Sequence, residues 1–592
     1  MRVGSLVLLC GLLGAMSATV ARPAVGAAPS VEVPGAAASV QVSAARGEFE
    51  DAHVVVRGAA GALSVRLAAG SQALLQQGLS VLRLETTLVN DRPVADPLPP
   101  LARRTSVGAG EDVTLVLRFR VPDDAPAGSY GGTLIFALDG HSFATIPMLL
   151  RVFDVQLPRR DDPNALRTLF LVQPQLYVKA VVARTRADPA TASAGITDRL
   201  YGLLSDYRIS PGNWEYGAPY PDGYQDRGTY WDGLAATRMT AEGAFPFSTM
   251  RLPLGTQHTP ESRTGQSARR PESWASYLTS QVLPFWRAHG WLERALVWGW
   301  DEPGPVYDRT YVAPQACAAH AAGVPYLTTG APERPVAARR VTIPWGKGTR
   351  TYTVRAHGND NQFLWDGQGC DDVDIWAVLS RRFYGSFATP VEQKGHIDAQ
   401  HELVGAISTA RARGASIWSF TYEPLGHDLR SPGYAATEPV TDARVFGLWN
   451  ALEGTDGTLY ADGMTNYAGG GDPYRSLALN GQHVLVYPAL KSADEPVSSL
   501  RLESIRDGIE DADLARLVIA RRGRPAFLAI LAREKIFSLR GGRLLLACRS
   551  GCDLQGSTKY AWPRYRRDPG TGAALERVHE ALLEALAAPP AP

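Results

Sequence analysis

Asp301 and Glu302 stand side by side at the end of the apolar run RALVWGW, and Pro303 and Gly304 follow at once. Adjacent carboxylates repel, and that repulsion, with the partial burial that Trp298 and Trp300 could supply, would raise the pKa of one of the two. A carboxylic acid that keeps its proton near neutral pH can protonate a leaving oxygen as a glycosidic bond breaks. The ordinary two-carboxylate mechanism places its groups on opposite faces of the scissile bond, roughly 5 to 9 Å apart. Sequence neighbours fit that poorly. They suit a substrate-assisted reaction better, in which a sugar's own 2-acetamido oxygen attacks C1, one carboxylate steadies the amide N–H, and the other serves as acid and then as base. The competing reading is a charged surface turn.

Other residues are candidates for holding a sugar. Tyr422 and Glu423 in WSFTYEP end a second strand-like run that also leads into a proline, and could hydrogen-bond a sugar or its acetamido oxygen. Trp300, Trp376 and Trp449 could stack on a pyranose face, with plain core packing as the alternative for the last two. Trp214, Tyr216, Tyr230 and Trp231 occupy a long aromatic loop that could line a cleft or pack on itself.

Metal and cofactor chemistry find little here. His396, Asp398 and His401 lie close in sequence, as do His427 and Asp428, yet the two histidines of the first group lack the i, i+4 spacing of a helical zinc pair. No metal is expected. There is no Walker or dinucleotide glycine motif and no Gly-x-Ser-x-Gly elbow, so no nucleotide cofactor and no serine hydrolysis are expected either.

The elements that must position the acids follow from periodicity. Residues 30–158 alternate short apolar runs (HVVVRG, VTLVLRFRV, TIPMLLRVF) with turn clusters such as PDDAPAGSYGG, the pattern of an antiparallel β-sandwich. After the charged link LPRRDDPN, strand-like runs alternate with helical stretches from 163 to 500. The number of units predicts a (β/α)8 TIM-barrel-like catalytic domain. Its extra length implies long loops, NWEYGAPYPDGYQDRGTYWDG and TYTVRAHGNDNQFLWDGQGCDD. Residues 501–592 read as a C-terminal helical extension. In such a barrel, loops at the C-terminal strand ends carry the chemistry, which is where RALVWGW would deliver Asp301 and Glu302.

Bulk properties agree with a neutral substrate. The chain has 592 residues, 60 Lys and Arg against 59 Asp and Glu, so no net field recruits nucleic acid or an anionic membrane. Residues 1–21 (Arg2, an apolar run, then small residues) read as a secretory signal peptide, implying export to the periplasm or beyond. Cys10 lies inside that run, behind Leu9, and does not fit a lipid-anchor site. No other stretch is apolar enough to span a membrane. Of the five cysteines, Cys317, Cys370, Cys548 and Cys552 remain after the signal, and in an exported chain they favour disulfides over metal. Cys548 and Cys552 could close a local loop.

The stretches GEFEDAHVVVR, VPDDAPAGSYGGTL, WGWDEP, VDIWAV, LWNALEGTDGTLYADGMTNY, DPYRS, VLVYP and SLRLESIRDGIEDADLARL together resemble glycoside hydrolase family 123 and related bacterial proteins with the domain of unknown function numbered 4091. The resemblance implies a retaining exo-β-N-acetylgalactosaminidase. It assigns Asp301 to orienting the acetamido group and Glu302 to the acid/base role. A glycan is then the partner. A glycosidase of other specificity that pairs Glu302 with Glu423, or a non-catalytic carbohydrate-binding protein, are the alternatives.

Overall fold

A computed structural model of the chain describes residues 29–213, 240–252, 278–299, 319–330, 373–380, 407–421, 432–540 and 565–589, apart from a few single positions and the segments 34–38 and 468–470, with short pieces in between. The signal segment and all five cysteines fall outside the described residues.

The N-terminal part is the expected sandwich. One sheet holds strands Ser30–Glu32, Phe49–Arg57, Val113–Arg120 and Leu79–Arg83, in that order; the other holds Val40–Arg46, His141–Gln156, Gly128–Leu138, Gly61–Leu67 and Thr105–Val107. Pairing is antiparallel except where Val40–Arg46 runs parallel to His141–Gln156. Alternate residues of the facing strands, among them Val54, Val56, Leu115, Leu117, Leu134 and Phe136, close a core between the sheets, as period-2 patterning requires.

Eight parallel strands follow: β1 (Arg167–Val172), β2 (Pro211–Asn213), β3 (Met250–Arg251), β4 (Ala295–Trp298), β5 (Tyr326–Thr329), β6 (Ile375–Leu379), β7 (Ser416–Thr421) and β8 (Gly457–Tyr460). Their spatial order, β2-β1-β8-β7-β6-β5-β4-β3, closes the sheet back on itself except for a missing hydrogen-bonded pair between β2 and β3. Those two edges still lie side by side, so the sheet is a nearly closed barrel. Strands β4 to β8 are buried on both faces, which explains why stretches such as DIWAVLS and ASIWSFTY read as continuous apolar runs. Leu169, Leu171, Leu296, Trp298, Leu327, Ile375, Ala377, Leu379, Trp418, Phe420 and Leu459 fill the interior.

Helices cover the outside where the chain is described. After β1 come α1 (Pro174–Thr185) and α2 (Pro189–Asp206), each opened by a proline in its first turn, and Asp188 caps α2 by accepting from the Ala190 N–H. Helix α3 (Leu283–Ala288) precedes β4, and α4 (Thr441–Glu453) precedes β8, ending at Gly454 in the left-handed region. Helix α5 (Leu500–Arg522) follows β8 and lies along α4. The two backbones touch: a methyl group on Gly447 would sit 1.9 Å from the Gly508 carbonyl oxygen. This first helix of the C-terminal extension thus lies directly against the helix that leads into β8. Helices α6 (Arg524–Glu534) and α7 (Thr571–Ala587) complete the C-terminal part.

One expected loop has a different form. The stretch beginning TYTVRA belongs to a three-stranded antiparallel insert between β5 and β6, made of Ala337–Trp345, Gly348–Ala356 and Phe363–Trp365. Its β-branched residues at alternate positions favour strand over loop. The short strand β2 carries no apolar run of its own and was not legible.

Candidate active site

All eight barrel strands run the same way, so their C-terminal ends share one mouth. Strand β4 ends at Trp298, whose ring is buried in the barrel interior. Gly299 follows, its N–H donating to the Leu327 carbonyl at 3.2 Å. A side chain at 299 would collide with the Tyr326 ring, 2.1 Å from its Oη, so glycine is required for the chain to leave β4 beside β5. Trp300, Asp301 and Glu302 come next in sequence and lie outside the described residues, as do Tyr422 and Glu423 just past the end of β7. The aromatic loop residues Trp214, Tyr216, Tyr230 and Trp231, and His396, Asp398, His401, His427 and Asp428, are outside them too.

Trp376 and Trp449 are described, and both are buried away from the lumen. Trp376 alternates with the lumen-facing Ile375 and Ala377 and points into the outer layer between sheet and helices. Trp449 on α4 is fully enclosed, stacked on Phe446 at 5.3 Å and edge-on to Phe383 at 5.0 Å. A pyranose needs an open ring face, and neither ring offers one.

Sequence reasoning passed over Arg251. It is 1% exposed at the end of β3, and its guanidinium lies 4.8 Å from the centre of the Trp298 ring. This is a cation set against the Trp298 ring beside the apolar cluster of the lumen, a contact that a desolvated cation and an indole face both favour. The only sequence signal was an arginine at a lumen-facing alternate in FSTMRLPL.

A second concentration of charge lies at the junction of sandwich, barrel and C-terminal helices. Glu48, Glu50 and Asp51 from the sandwich meet Glu503, Asp507, Glu510, Asp511 and Asp513 on α5, interleaved with Arg118, Arg208, Arg444, Arg506 and His579. Burial alone would push Glu503 up, but Arg118 and Arg506, with the Ser498 and Tyr207 hydroxyls donating to it, hold its pKa down at about 2. For Glu50, Asp51 and Glu510 burial dominates, and their pKa values stand well above the ordinary carboxylate range. Arg501 completes the junction. It grips Asp96 through Nε at 2.9 Å and a terminal nitrogen at 2.8 Å, and donates to the Tyr434, Gly481 and Val484 carbonyls. Beside this network is a cleft of about 520 Å³ lined by Asp51, His53, Arg444, Asp507 and Glu576 among others.

No family model and no curated protein matches the chain. Among solved structures, a family 123 glycoside hydrolase from Clostridium perfringens, studied for glycolipid glycan hydrolysis, aligns over 93% of this chain and 94% of its own with a TM-score of 0.56 and 12% identity. A family 39 glycoside hydrolase from Bacteroides cellulosilyticus (82% of each chain, TM-score 0.31, 10% identity) and a Bacteroides ovatus family 5 xyloglucanase (81% and 100%, TM-score 0.28, 8% identity) are much looser likenesses. The expected kinship with family 123 holds at the level of fold: this chain shares that enzyme's architecture over nearly its whole length.

Proposed function

We propose that the chain is an exported glycoside hydrolase that cleaves β-linked N-acetylhexosamines, N-acetylgalactosamine in particular, with retention and with help from the substrate. The observation that carries the reading is the place of β4: a strand of a nearly closed parallel barrel ends three residues before Asp301, at the face where barrel enzymes keep their chemistry. The whole-length fold likeness to a family 123 hydrolase supports it.

In this mechanism Glu302 gives its proton to the glycosidic oxygen as the C1–O bond breaks, while the acetamido carbonyl oxygen bonds to C1 from the opposite face. Asp301 accepts the hydrogen bond of the amide N–H as that nitrogen becomes positive. Glu302, now ionised, takes a proton from water, whose oxygen displaces the acetamido oxygen and restores the sugar's configuration.

The test is nitrophenol release from a panel of β-nitrophenyl glycosides with and without a 2-acetamido group. Hydrolysis restricted to 2-acetamido sugars, lost in Asp301→Asn and in Glu302→Gln, is expected. Asp301→Asn should impair even activated substrates, because ring closure itself loses support. Glycan binding without turnover, indifferent to both changes, would make the chain a binding protein.

A second reading pairs Glu302 with Glu423. It is favoured by the separation of β4 from β7 by two intervening strands, which suits carboxylates approaching a bond from different sides. Turnover of sugars lacking the acetamido group, abolished by Glu423→Gln, would select it.

A further inference from the structure

His579, on α7, is 2% exposed, and both ring nitrogens are engaged. Nδ1 lies 2.9 Å from Asp511 Oδ1. Around Nε2 stand three oxygens from the sandwich: the Ser43 carbonyl at 3.2 Å, Glu50 Oε1 at 3.3 Å and Glu48 Oε2 at 3.7 Å. A single N–H can serve one of these well, not three. Glu48 is fully buried; one oxygen accepts the Ala45 N–H, while Oε1 has no hydrogen-bond partner among the described residues. Donor atoms of Glu48, Glu50 and His579 all lie within 4.8 Å of one another.

We propose that Glu48, Glu50 and His579 form a structural site for a divalent transition-metal ion, zinc being the working case, that ties the sandwich to the last helix. The spacing fits. Tetrahedral ligands at about 2.0–2.1 Å from an ion are separated by roughly 3.3–3.4 Å, close to the observed Nε2 distances. The donor set of one imidazole and two carboxylates, with the Ser43 carbonyl in reach, is one that zinc accepts. Asp511 behind Nδ1 is the outer-shell carboxylate that fixes a ligating histidine's tautomer and orientation. A doubly charged ion also suits the local charge: Glu48, Glu50 and Asp511 face His579, Arg444 bonds Asp511 at 2.6 Å and reaches Glu50 at 3.8 Å, and Arg208 is the further cation acting on Glu48. The site lies in the sandwich junction and is independent of the glycosidase reading.

The full chain, purified without chelator, is analysed for metal, then unfolded and refolded with zinc chloride or with EDTA, and its thermal midpoint measured. Cobalt(II) spectra report a nitrogen and oxygen site directly. Expected are one zinc per chain, a higher Tm with zinc than with EDTA, and binding weakened at least ~10-fold in Glu48→Gln, the minimum that even an outer-shell change brings. That variant keeps an amide oxygen for the Ala45 N–H; if it does not fold, Glu50→Gln takes its place. Absence of stoichiometric metal with identical Tm in zinc and EDTA overturns the proposal. So does zinc bound equally by wild type and variant, because the ion then sits elsewhere.

Discussion

Two acid-rich regions of this chain stand in opposite situations. Around α5 each carboxylate meets a cation, a hydroxyl or a backbone donor from another part of the fold, and Arg501 has every guanidinium N–H taken. In the barrel, β4 carries Trp298 against Arg251, and Asp301 and Glu302 follow it only in sequence, three and four residues after its end. The stretch LRLESIRDGIEDADLARL looks the more charged of the two and is the more distinctive as sequence, yet its charge is consumed in joining domains. Charge density on a helix therefore marks architecture here, while the proposed chemistry rests on a short dipeptide.

The widest separation between the regions should appear in paired variants. Glu302→Gln is expected to lower kcat/KM for unactivated substrates by ~10²–10⁴, the usual range for losing a general acid, with Tm unchanged. Arg506→Met does the reverse. Its guanidinium is fully buried against Glu503, Asp51 and Asp507, and stranding those acids should destabilise the fold by about 3–5 kcal/mol, while the folded fraction keeps its kcat. Activity assays and denaturant titrations of both variants decide it. A Tm loss in Glu302→Gln with intact turnover would invert the contrast.

Acid sharpens the same contrast on a smaller scale. Glu503 stays ionised in the folded chain down to pH about 2, whereas in the unfolded chain it takes up a proton near the ordinary value of ~4.3. Between these values the unfolded state binds the extra proton. The contribution of Glu503 is thus complete above about pH 5 and fades as pH falls toward 2, on the order of 3 kcal/mol in all. Subtracting the stability curve of Glu503→Gln from that of wild type separates this group from Glu50 and Glu510, whose raised pKa values act in the opposite direction, while Asp51, pushed up by burial and in part by the Glu503 charge, moves with it. A difference independent of pH from 6 to 2.5 would show that Arg118 and Arg506 do not hold the carboxyl down.

Much of the fold was legible because its signals are local. Alternation gave the sandwich strands, and apolar runs such as DIWAVLS and ASIWSFTY gave β6 and β7, which are buried on both faces. Strand β2 was not legible, since a three-residue strand in ISPGNW is defined by its neighbour β1 and by no pattern of its own. The His579 cluster was equally hidden: His579 lies 531 and 529 residues beyond Glu48 and Glu50 in sequence, and only tertiary packing brings it within bonding range of them. Arg251 was missed for a related reason, because an arginine in a short strand reads as a surface residue until the barrel closes around it.

Trp376 and Trp449 supply the finest test. Sequence made them candidates for sugar stacking, and the structure encloses both in the layer between sheet and helices. Replacing either with phenylalanine keeps an aromatic ring but removes part of a close-packed volume, so a destabilisation of about 1–3 kcal/mol is expected. Trp449→Phe should be the more damaging of the two, since its ring is braced by both Phe446 and Phe383. KM for a nitrophenyl glycoside should stay at the wild-type value in both, because a ring with no open face cannot touch a pyranose. A raised KM with unchanged Tm would place these rings at the substrate after all, and would move the chemistry of the barrel outward from its mouth.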